Sequence, residues 1–240
     1  MKTLSEIIKS SENIVFFGGA GVSTESGIPD FRGADGIYSK KYGRLSPEEI
    51  ISASFFRADP ETFYEFYRSH LIFPDAKPNA AHIALAKLEE AGRVKAVITQ
   101  NIDGLHTSAG SRRVYELHCT TLRNYCLHCR QKYDMNFILS TTGVPHCPEC
   151  GGIVRPDVTL YEESLPEGVF EAAADAVSKA EVLIVGGTSL AVYPAASLLY
   201  YFHGRELVII NYTETPFESR ATLVVHDSIS KALSAAAAKI

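Results

Sequence analysis

Six short apolar runs recur along the chain, and each ends in glycine or polar residues. They occupy positions 13–17, 95–99, 113–118, 181–185, 206–211 and 221–226. Short runs rich in β-branched residues predict buried strands. Between and around them, helical spacing of apolar residues predicts helices at 1–11, at 80–91 and at the C-terminal end. This alternation predicts an α/β fold with a doubly wound, Rossmann-like parallel sheet, in which 221–226 is an edge strand.

Two of the runs lead into glycine-rich turns. The first turn, 18–23, leads to a helix that we expect to begin near Ser23 or Thr24, and the second, 186–189, precedes an alanine-rich helix after Pro194. Glycine lets the backbone approach a phosphate, whose charge helix N-terminal amides hold. Thr24 replaces the third glycine of the dinucleotide fingerprint, and no acidic residue ends a second strand at the spacing of a dehydrogenase. The turns therefore predict a dinucleotide crevice but not hydride transfer.

The strand at 95–99 ends in a stretch with several polar side chains. Gln100, Asn101, Asp103 and His106 follow it, and His118 comes a dozen residues later. Side chains at the carboxyl ends of parallel strands line the ligand crevice of an open α/β sheet. The alternative is a polar loop that only caps the next helix. The two glycine turns favour the crevice.

Two segments between these elements have a different character. Positions 26–33 are punctuated by proline and glycine, and form either a connector or a mobile loop over the ligand. Positions 34–79 are aromatic and helical with proline breaks, which predicts a small inserted helical module whose aromatic stripe serves packing. In the helix that follows, His82 is expected to be a buried, hydrogen-bonded residue rather than a ligand.

Four of the five cysteines form two CxxC pairs, Cys126 with Cys129 and Cys147 with Cys150. Two thiolates at a tight turn can face one ion, and a second such turn completes a tetrahedral zinc site. A redox CxxC motif is the alternative, but such motifs occur singly at a helix start. The pairs predict one structural Zn²⁺ in an inserted zinc-ribbon-like module at 120–156.

Composition and charge limit the partners. The 240 residues are 46% hydrophobic and 21% charged, with a net charge of −5 and an isoelectric point near 5.9. No overall basic field exists to hold nucleic acid or an anionic membrane. The segment 1–11 predicts an amphipathic helix rather than a signal peptide, and no apolar run approaches about 20 residues. We therefore expect a cytoplasmic protein without a membrane or a direct nucleic-acid partner.

Five motifs in one order resemble those of a sirtuin of the bacterial type. They are Gly-Ala-Gly-Val-Ser at 19–23, Gly-Ile-Pro-Asp-Phe-Arg-Gly at 27–33, Thr-Gln-Asn-Ile-Asp at 99–103, the paired cysteines, and Gly-Thr-Ser-Leu at 187–190. The resemblance covers 1–240 as a single catalytic domain. It implies removal of acetyl or other uncharged acyl groups from protein lysine, with NAD as cosubstrate and nicotinamide, acyl-ADP-ribose and free lysine as products.

The resemblance also implies roles for individual residues. The NAD-binding set comes from the glycine turns, the loop after the first turn, the central polar stretch and two later positions: Gly19, Ala20, Gly21, Thr24, Phe31, Arg32, Gln100, Asn101, Ile102, Asp103, Gly187, Thr188, Ser189, Asn211 and Ser228. Catalysis is assigned to Asn101, Asp103 and His118. His118 would accept a proton from a ribose hydroxyl, a task that suits a neutral imidazole at neutral pH. Phe31 and Arg32 would lie on a loop that orders over NAD and excludes water.

The acylated peptide of this family lies as an added strand between two loops, which correspond here to 158–163 and 191–193. Substrate contacts are expected from Val158, Tyr161, Val192, Tyr193, Tyr67 and His70. Cys119 and Glu162 stand where the family usually has glycine, which bears on acyl and peptide preference. Tyr67 and His70 stand where succinyl-preferring sirtuins carry Tyr-x-x-Arg. Without the charged, bidentate arginine, acetyl or another uncharged acyl group should be preferred over succinyl.

Two alternatives remain open on the sequence. The same NAD site is compatible with a protein mono-ADP-ribosyltransferase. A catalytically weak NAD-binding or zinc-ribbon interaction protein is the other alternative. The presence of Asn101, Asp103 and His118 favours an enzyme over the interaction protein.

Overall fold

A six-stranded parallel sheet organises the protein, whose computed structural model describes residues 2–33, 36–39 and 42–240. Strands in the described residues are β1 (Ile14–Gly18), β2 (Val94–Thr99), β3 (Val114–Glu116), β4 (Cys119–Cys126), β5 (Lys132–Asp134), β6 (Val154–Val158), β7 (Val182–Gly186), β8 (Glu206–Ile210) and β9 (Leu223–Val225). The large sheet has the order β3-β2-β1-β7-β8-β9, and each neighbouring pair is parallel. The order reverses between β1 and β7. This confirms the predicted doubly wound sheet, with β9 at an edge.

Helices cover both faces of this sheet. They are α1 (Leu4–Lys9), α2 (Pro47–Ile50), α3 (Ala53–Ala58), α4 (Pro60–His70), α5 (Ala80–Glu90), α6 (Leu105–Ser108), α7 (Met135–Ser140), α8 (Val169–Lys179) and α9 (Ile229–Ala237). Side chains of a strand alternate between faces. Ile14 and Phe16 therefore enter the core shared with α1, α5 and α9, whereas Val15 and Phe17 enter the core shared with α8.

The first glycine turn does not lead into an α-helix. Two short 3₁₀ turns, Ala20–Val22 and Thr24–Ser26, follow β1, and Gly27 ends them in the left-handed region with φ of 84°. A helix thus begins at Thr24, near the predicted position, but it is a short 3₁₀ turn and not the α-helix of the dinucleotide fingerprint. The side chain of Ser23 makes hydrogen bonds to the central polar stretch and caps no helix. The alanine-rich helix after Pro194 is also 3₁₀, over Ala195–Tyr201.

A third core joins the two inserted segments. The helices α2, α3 and α4 pack against a three-stranded antiparallel sheet of order β5-β4-β6. This small sheet begins at Cys119 and ends at Val158, just outside the expected limits of 120–156. Ala34, the expected first residue of the helical module, lies outside the described residues. Among the described helices, none has the length and apolar character that a membrane crossing requires.

Candidate active site

The switch point of the sheet brings the two glycine turns into contact. The N–H of Gly21 donates to the carbonyl of Gly187 at 2.9 Å. A Cβ at Gly21 would lie 2.8 Å from the Cα of Gly187, and a Cβ at Gly187 would lie 2.5 Å from the backbone nitrogen of Val22. Both positions therefore require glycine for the contact between turns, in addition to any approach of a ligand. Ligands of open α/β sheets bind at this point.

A buried hydroxyl organises the central polar stretch. Ser23 donates to Oδ2 of Asp103 at 2.7 Å and accepts from the Nδ2 of Asn101 at 3.0 Å. The other carboxylate oxygen of Asp103 accepts from the N–H of Leu105 at 2.8 Å. Asn101 is 8% exposed and Ser23 is fully buried. The amide and the carboxylate are thus held in fixed orientations beside the first turn, which suits recognition of a small polar ring.

His118 follows β3 and lies beside this network. Its Nδ1 is 2.8 Å from the carbonyl oxygen of Gln100, which can only accept, so Nδ1 carries the proton and Nε2 keeps a lone pair. Burial lowers the pKa of His118, although its hydrogen bond to Gln100 acts in the opposite direction. The ring is therefore neutral at neutral pH and available as a general base.

A cavity of about 160 Å³ opens between the first turn, the polar stretch and the helical segment. Its lining includes the predicted residues Ala20, Phe31, Asn101, Ile102, Asp103 and His70, together with Ser23, Leu71 and Phe73. The structure thus brings together one part of the predicted NAD set. The cavity combines a polar amide and carboxylate with an apolar wall, as a site for a small aromatic amide requires.

Other predicted cofactor residues lie around the second turn. Gln100 donates from Nε2 to the hydroxyl of Thr188 at 2.9 Å, which links the ends of β2 and β7. Ser189 is exposed. Asn211 donates to the carbonyl of Thr213 at 2.8 Å, which shapes the loop after β8. Ser228 is the N-cap of α9, and its hydroxyl also donates to Glu25.

Thr24 and Arg32, the remaining polar cofactor candidates, are both exposed. The hydroxyl of Thr24 donates to the carbonyl of Gly21 at 3.1 Å. The guanidinium of Arg32 lies over the ring of Tyr38, 5.2 Å from its centre. Gly19 packs against the second turn, because a Cβ there would lie 2.8 Å from the Cβ of Thr188.

The predicted substrate residues have different environments. Tyr193 is 61% exposed, Val192 is half-buried, and Val158 ends β6 at 8% exposure. Tyr161 is half-buried, and its hydroxyl is 2.8 Å from that of Tyr38. These four residues are therefore not equally available to a peptide.

Tyr67 and His70, one turn apart on α4, also differ. Tyr67 is fully buried and stacks on Phe63, and its hydroxyl has no hydrogen-bond partner among the described residues. His70 lines the cavity and stacks on Phe66. Its Nδ1 lies 2.7 Å from the hydroxyl of Ser69.

The four cysteines converge. Their sulfur atoms all lie within 4.8 Å of one another, and the cross-pair distances are 3.5 Å between Cys126 and Cys150 and 3.6 Å between Cys129 and Cys147. A tetrahedral Zn²⁺ with bonds of about 2.3 Å separates its sulfur ligands by about 3.8 Å. Backbone N–H groups of His128 and Cys129 also point to the sulfur of Cys126. The cluster fits a structural zinc site.

Sequence reasoning missed two groups that the structure places at the site. Ser23 was assigned to a helix start, although a hydroxyl in a turn after a strand also signals a side chain that faces the crevice. Thr120 and Thr121 received no role, yet the carbonyl of Ile102 accepts from the hydroxyl of Thr120 and from both the N–H and the hydroxyl of Thr121, at 2.9 to 3.2 Å. Only the folded chain brings β4 beside Ile102.

His82 and His106 are buried side by side, with ring centres 4.6 Å apart. Nδ1 of His82 accepts from the N–H of Asn79 at 3.3 Å, as expected for a buried, hydrogen-bonded histidine. Neither ring nitrogen of His106 has a partner in the described part of the chain. His106 therefore belongs to the core and not to the polar crevice.

Fold and site together are those of a class of enzyme that binds a dinucleotide at the switch point of a parallel sheet. Residues 19–194 match the model of the Sir2 family. A Clostridium perfringens protein named NAD-dependent protein deacetylase is 60% identical, over 96% of this chain and 95% of the relative. A Cutibacterium acnes protein of the same name is 53% identical, over 97% of this chain and 95% of the relative.

Solved structures agree with these relatives. A complex described as Sir2 with a p53 peptide and NAD⁺ has a TM-score of 0.88 and 41% identity, and the match covers 100% of this chain and 98% of that one. Another, of a Sir2 variant with deacetylated p53 peptide and 3'-O-acetyl ADP ribose, has a TM-score of 0.88 and 43% identity, over 95% and 94%. The chain belongs to the Sir2 family, the sirtuins.

Proposed function

We propose that the protein is an NAD-dependent protein lysine deacetylase. It transfers the acetyl group of an acetyl-lysine side chain to ADP-ribose, consumes one water molecule, and releases nicotinamide and free lysine. The observation that carries the proposal is the state of His118, a half-buried neutral ring whose Nδ1–H donates to the carbonyl of Gln100. The names of relatives at 46–60% identity agree with it.

NAD fits the residues present. The cavity beside Asn101 and Asp103 has room for a small ring. Because the two turns meet through glycine, backbone rather than side chains lies at the switch point, where phosphates of nucleotides bind. When bound, NAD supplies the ribose carbon that accepts the acetyl-lysine oxygen, and the nicotinamide that leaves. We assign the nicotinamide end to the cavity and the adenosine end to Thr188, Ser189 and Asn211.

The chain's own groups then have separate tasks. Asn101 and Asp103, oriented by Ser23, hold the carboxamide end of the ligand. Phe31 and Ile102 supply apolar walls that exclude water, which prevents hydrolysis from competing with acetyl transfer. Nε2 of His118 accepts the proton of a ribose hydroxyl, so that this oxygen can attack the transferred group. The proton has a defined destination because Nδ1 is already protonated.

The zinc cluster has a structural task in this proposal. Four thiolates fill a tetrahedral site and leave no position for water, so the ion takes no part in acetyl transfer. Thiols arranged for a metal rather than for disulfides suit a reducing compartment, and we include a cytoplasmic location in the proposal. The negative net charge supports protein rather than nucleic-acid partners.

One experiment tests the activity. The protein is incubated with an acetyl-lysine peptide and NAD labelled in its adenine, and the products are analysed by mass spectrometry. Deacetylation yields free lysine on the peptide and labelled acetyl-ADP-ribose. Label on protein would instead identify an ADP-ribosyltransferase, and intact NAD with intact peptide would refute both enzyme functions. His118→Ala is the matched control, since it removes the base alone.

A further inference from the structure

Two phenol groups link the loop predicted to cover the cofactor, 26–33, to the segment predicted to bind the peptide, 158–163. One belongs to Tyr38, which packs on the first loop, and the other to Tyr161. The hydroxyl of Tyr38 lies 2.8 Å from the hydroxyl of Tyr161, within hydrogen-bond distance. Both side chains are half-buried. Burial and the bond to Tyr161 raise the pKa of Tyr38 far above its usual value, so this phenol stays protonated at neutral pH.

On the cofactor side, Tyr38 is tied to Phe31 and Arg32. Its N–H donates to the carbonyl of Phe31 at 2.9 Å, and the two rings have centres 5.3 Å apart. The guanidinium of Arg32 lies over the same ring. Because Phe31 lines the cavity, a ligand that fixes Phe31 also fixes Tyr38.

On the peptide side, Tyr161 is held by its backbone. Its N–H donates to the carbonyl of Ile51 at 3.1 Å, and its carbonyl accepts from the N–H of Ala53 at 3.0 Å. Glu162, at φ of 74°, accepts from the N–H and the hydroxyl of Ser54, each at 2.8 Å. The segment therefore has a defined position, from which the phenol of Tyr161 reaches Tyr38.

The same segment also contacts the proposed base. The N–H of Thr159 donates to the carbonyl of His118 at 3.1 Å, two residues before Tyr161. Leu160 N–H donates to Glu163, whose carboxylate forms a bidentate pair with Arg155 at 2.7 and 2.9 Å. A peptide that binds along 158–163 thus contacts a segment that is hydrogen-bonded to other parts of the protein. One of these hydrogen bonds joins Tyr161 to Tyr38.

We propose that the hydroxyl bond between Tyr38 and Tyr161 couples the binding of the two substrates, with both tyrosines acting as positioning residues. The inference rests on the proposed deacetylase function. A ligand that orders one segment lowers the cost of ordering the other through this bond, and such coupling is reciprocal. One neutral hydrogen bond corresponds to about a 2- to 10-fold mutual increase in affinity.

The test measures binding without turnover. The affinity of an acetyl-lysine peptide is determined by calorimetry with and without saturating ADP-ribose, for the wild type, Tyr38→Phe, Tyr161→Phe and the double variant. We expect the wild type to bind the peptide about 2- to 10-fold more tightly with ADP-ribose, and each variant to lose that gain. The double variant should lose no more than either single variant, because removal of either hydroxyl breaks the same bond.

Tyr64→Phe is the control. It removes another phenol bond of the helical segment, to the carbonyl of Val154, but leaves Tyr38 and Tyr161 intact, so its coupling should equal that of the wild type. Wild-type coupling retained by Tyr161→Phe would overturn the inference. A wild type that binds both ligands without mutual effect would overturn it too, while deacetylation would stand. A wild type that binds ADP-ribose but no acetyl peptide would overturn both proposals.

Discussion

Replacement of His106 by leucine should make the protein less sensitive to acid. His106 is 2% exposed and packs between Phe16 and His82. Neither of its ring nitrogens has a hydrogen-bond partner among the described residues. Burial, aided by the neighbouring His82, lowers the pKa of His106 to about 3. The ring therefore stays neutral in the folded protein under conditions in which the unfolded chain binds a proton.

The sign and size of the effect follow from this difference. Between pH 6.5 and pH 3 the unfolded chain binds more protons at this position, so the free energy of unfolding falls as the pH falls. An unfolded histidine has a pKa of about 6.5, and each pH unit below it costs about 1.4 kcal/mol. From pH 7.5 to pH 5 the contribution of His106 is therefore a loss of about 2 kcal/mol. Because pH 5 lies well above the pKa of His106 in the folded protein, only the pKa of the histidine in the unfolded chain determines the size of this loss.

Urea unfolding at pH 7.5 and pH 5, followed by circular dichroism, measures the difference. His106→Leu should lose about 2 kcal/mol less than the wild type between these pH values. Zinc binding also weakens in acid, but it does so in both proteins, so the comparison removes this effect. The exposed His203 provides the matched control, and His203→Leu should lose as much as the wild type. If His106→Leu and the wild type lost equal free energy of unfolding between the two pH values, the claim that His106 is neutral in the folded protein would be refuted.

Four further predictions concern the crevice and the zinc cluster. His118→Ala should reduce deacetylation by about 10²- to 10⁴-fold while nicotinamide exchange with NAD continues. Asp103→Asn should instead slow the exchange itself, so measuring deacetylation and exchange for each variant separates the two roles. Because burial lowers the pKa of His118, wild-type kcat/KM should be level above neutral pH and decline only in acid. Chelation should remove one zinc per chain and, with it, folding of the small sheet and activity; full activity of metal-free protein would contradict a structural role. An acetyl peptide should exceed its succinyl counterpart in kcat/KM at pH 7.5 by about 30-fold, because His70, already bonded to Ser69, stands where succinyl-preferring sirtuins carry a charged arginine. A ratio that favours succinyl would contradict this.

Strand positions were predictable because burial on both faces demands continuous apolar runs. Ile14–Gly18 and Val182–Gly186 are buried at every residue, and no polar residue can occupy such a strand without a cost. The cysteine cluster was predictable for a similar reason, since two tight turns with paired thiols have few uses other than a metal. In both cases the constraint lies within a few consecutive residues.

Long-range contacts were not predictable in this way. Ser23 is joined to Asp103, and Tyr38 to Tyr161, across 80 and 123 positions. A serine or a tyrosine forms such bonds in many settings, and nothing in its neighbours specifies the partner. The 3₁₀ form of the helices within 20–26 was not predicted either, because the side chain of Ser23 between them bonds to Asp103 and Asn101, which are 80 and 78 positions away.

The position of β4 explains how a zinc cluster outside the large sheet can matter to acetyl transfer. β4 ends at the zinc ligand Cys126, and near its start Thr120 and Thr121 direct hydroxyl and N–H groups to the carbonyl of Ile102. Ile102 lies between Asn101 and Asp103 and lines the cavity. Loss of the metal would free one end of β4 and, through this strand, the backbone of Asn101 and Asp103, which we propose to hold the carboxamide. In the proposed function, a cluster that performs no chemistry thereby contributes to the geometry of the carboxamide site.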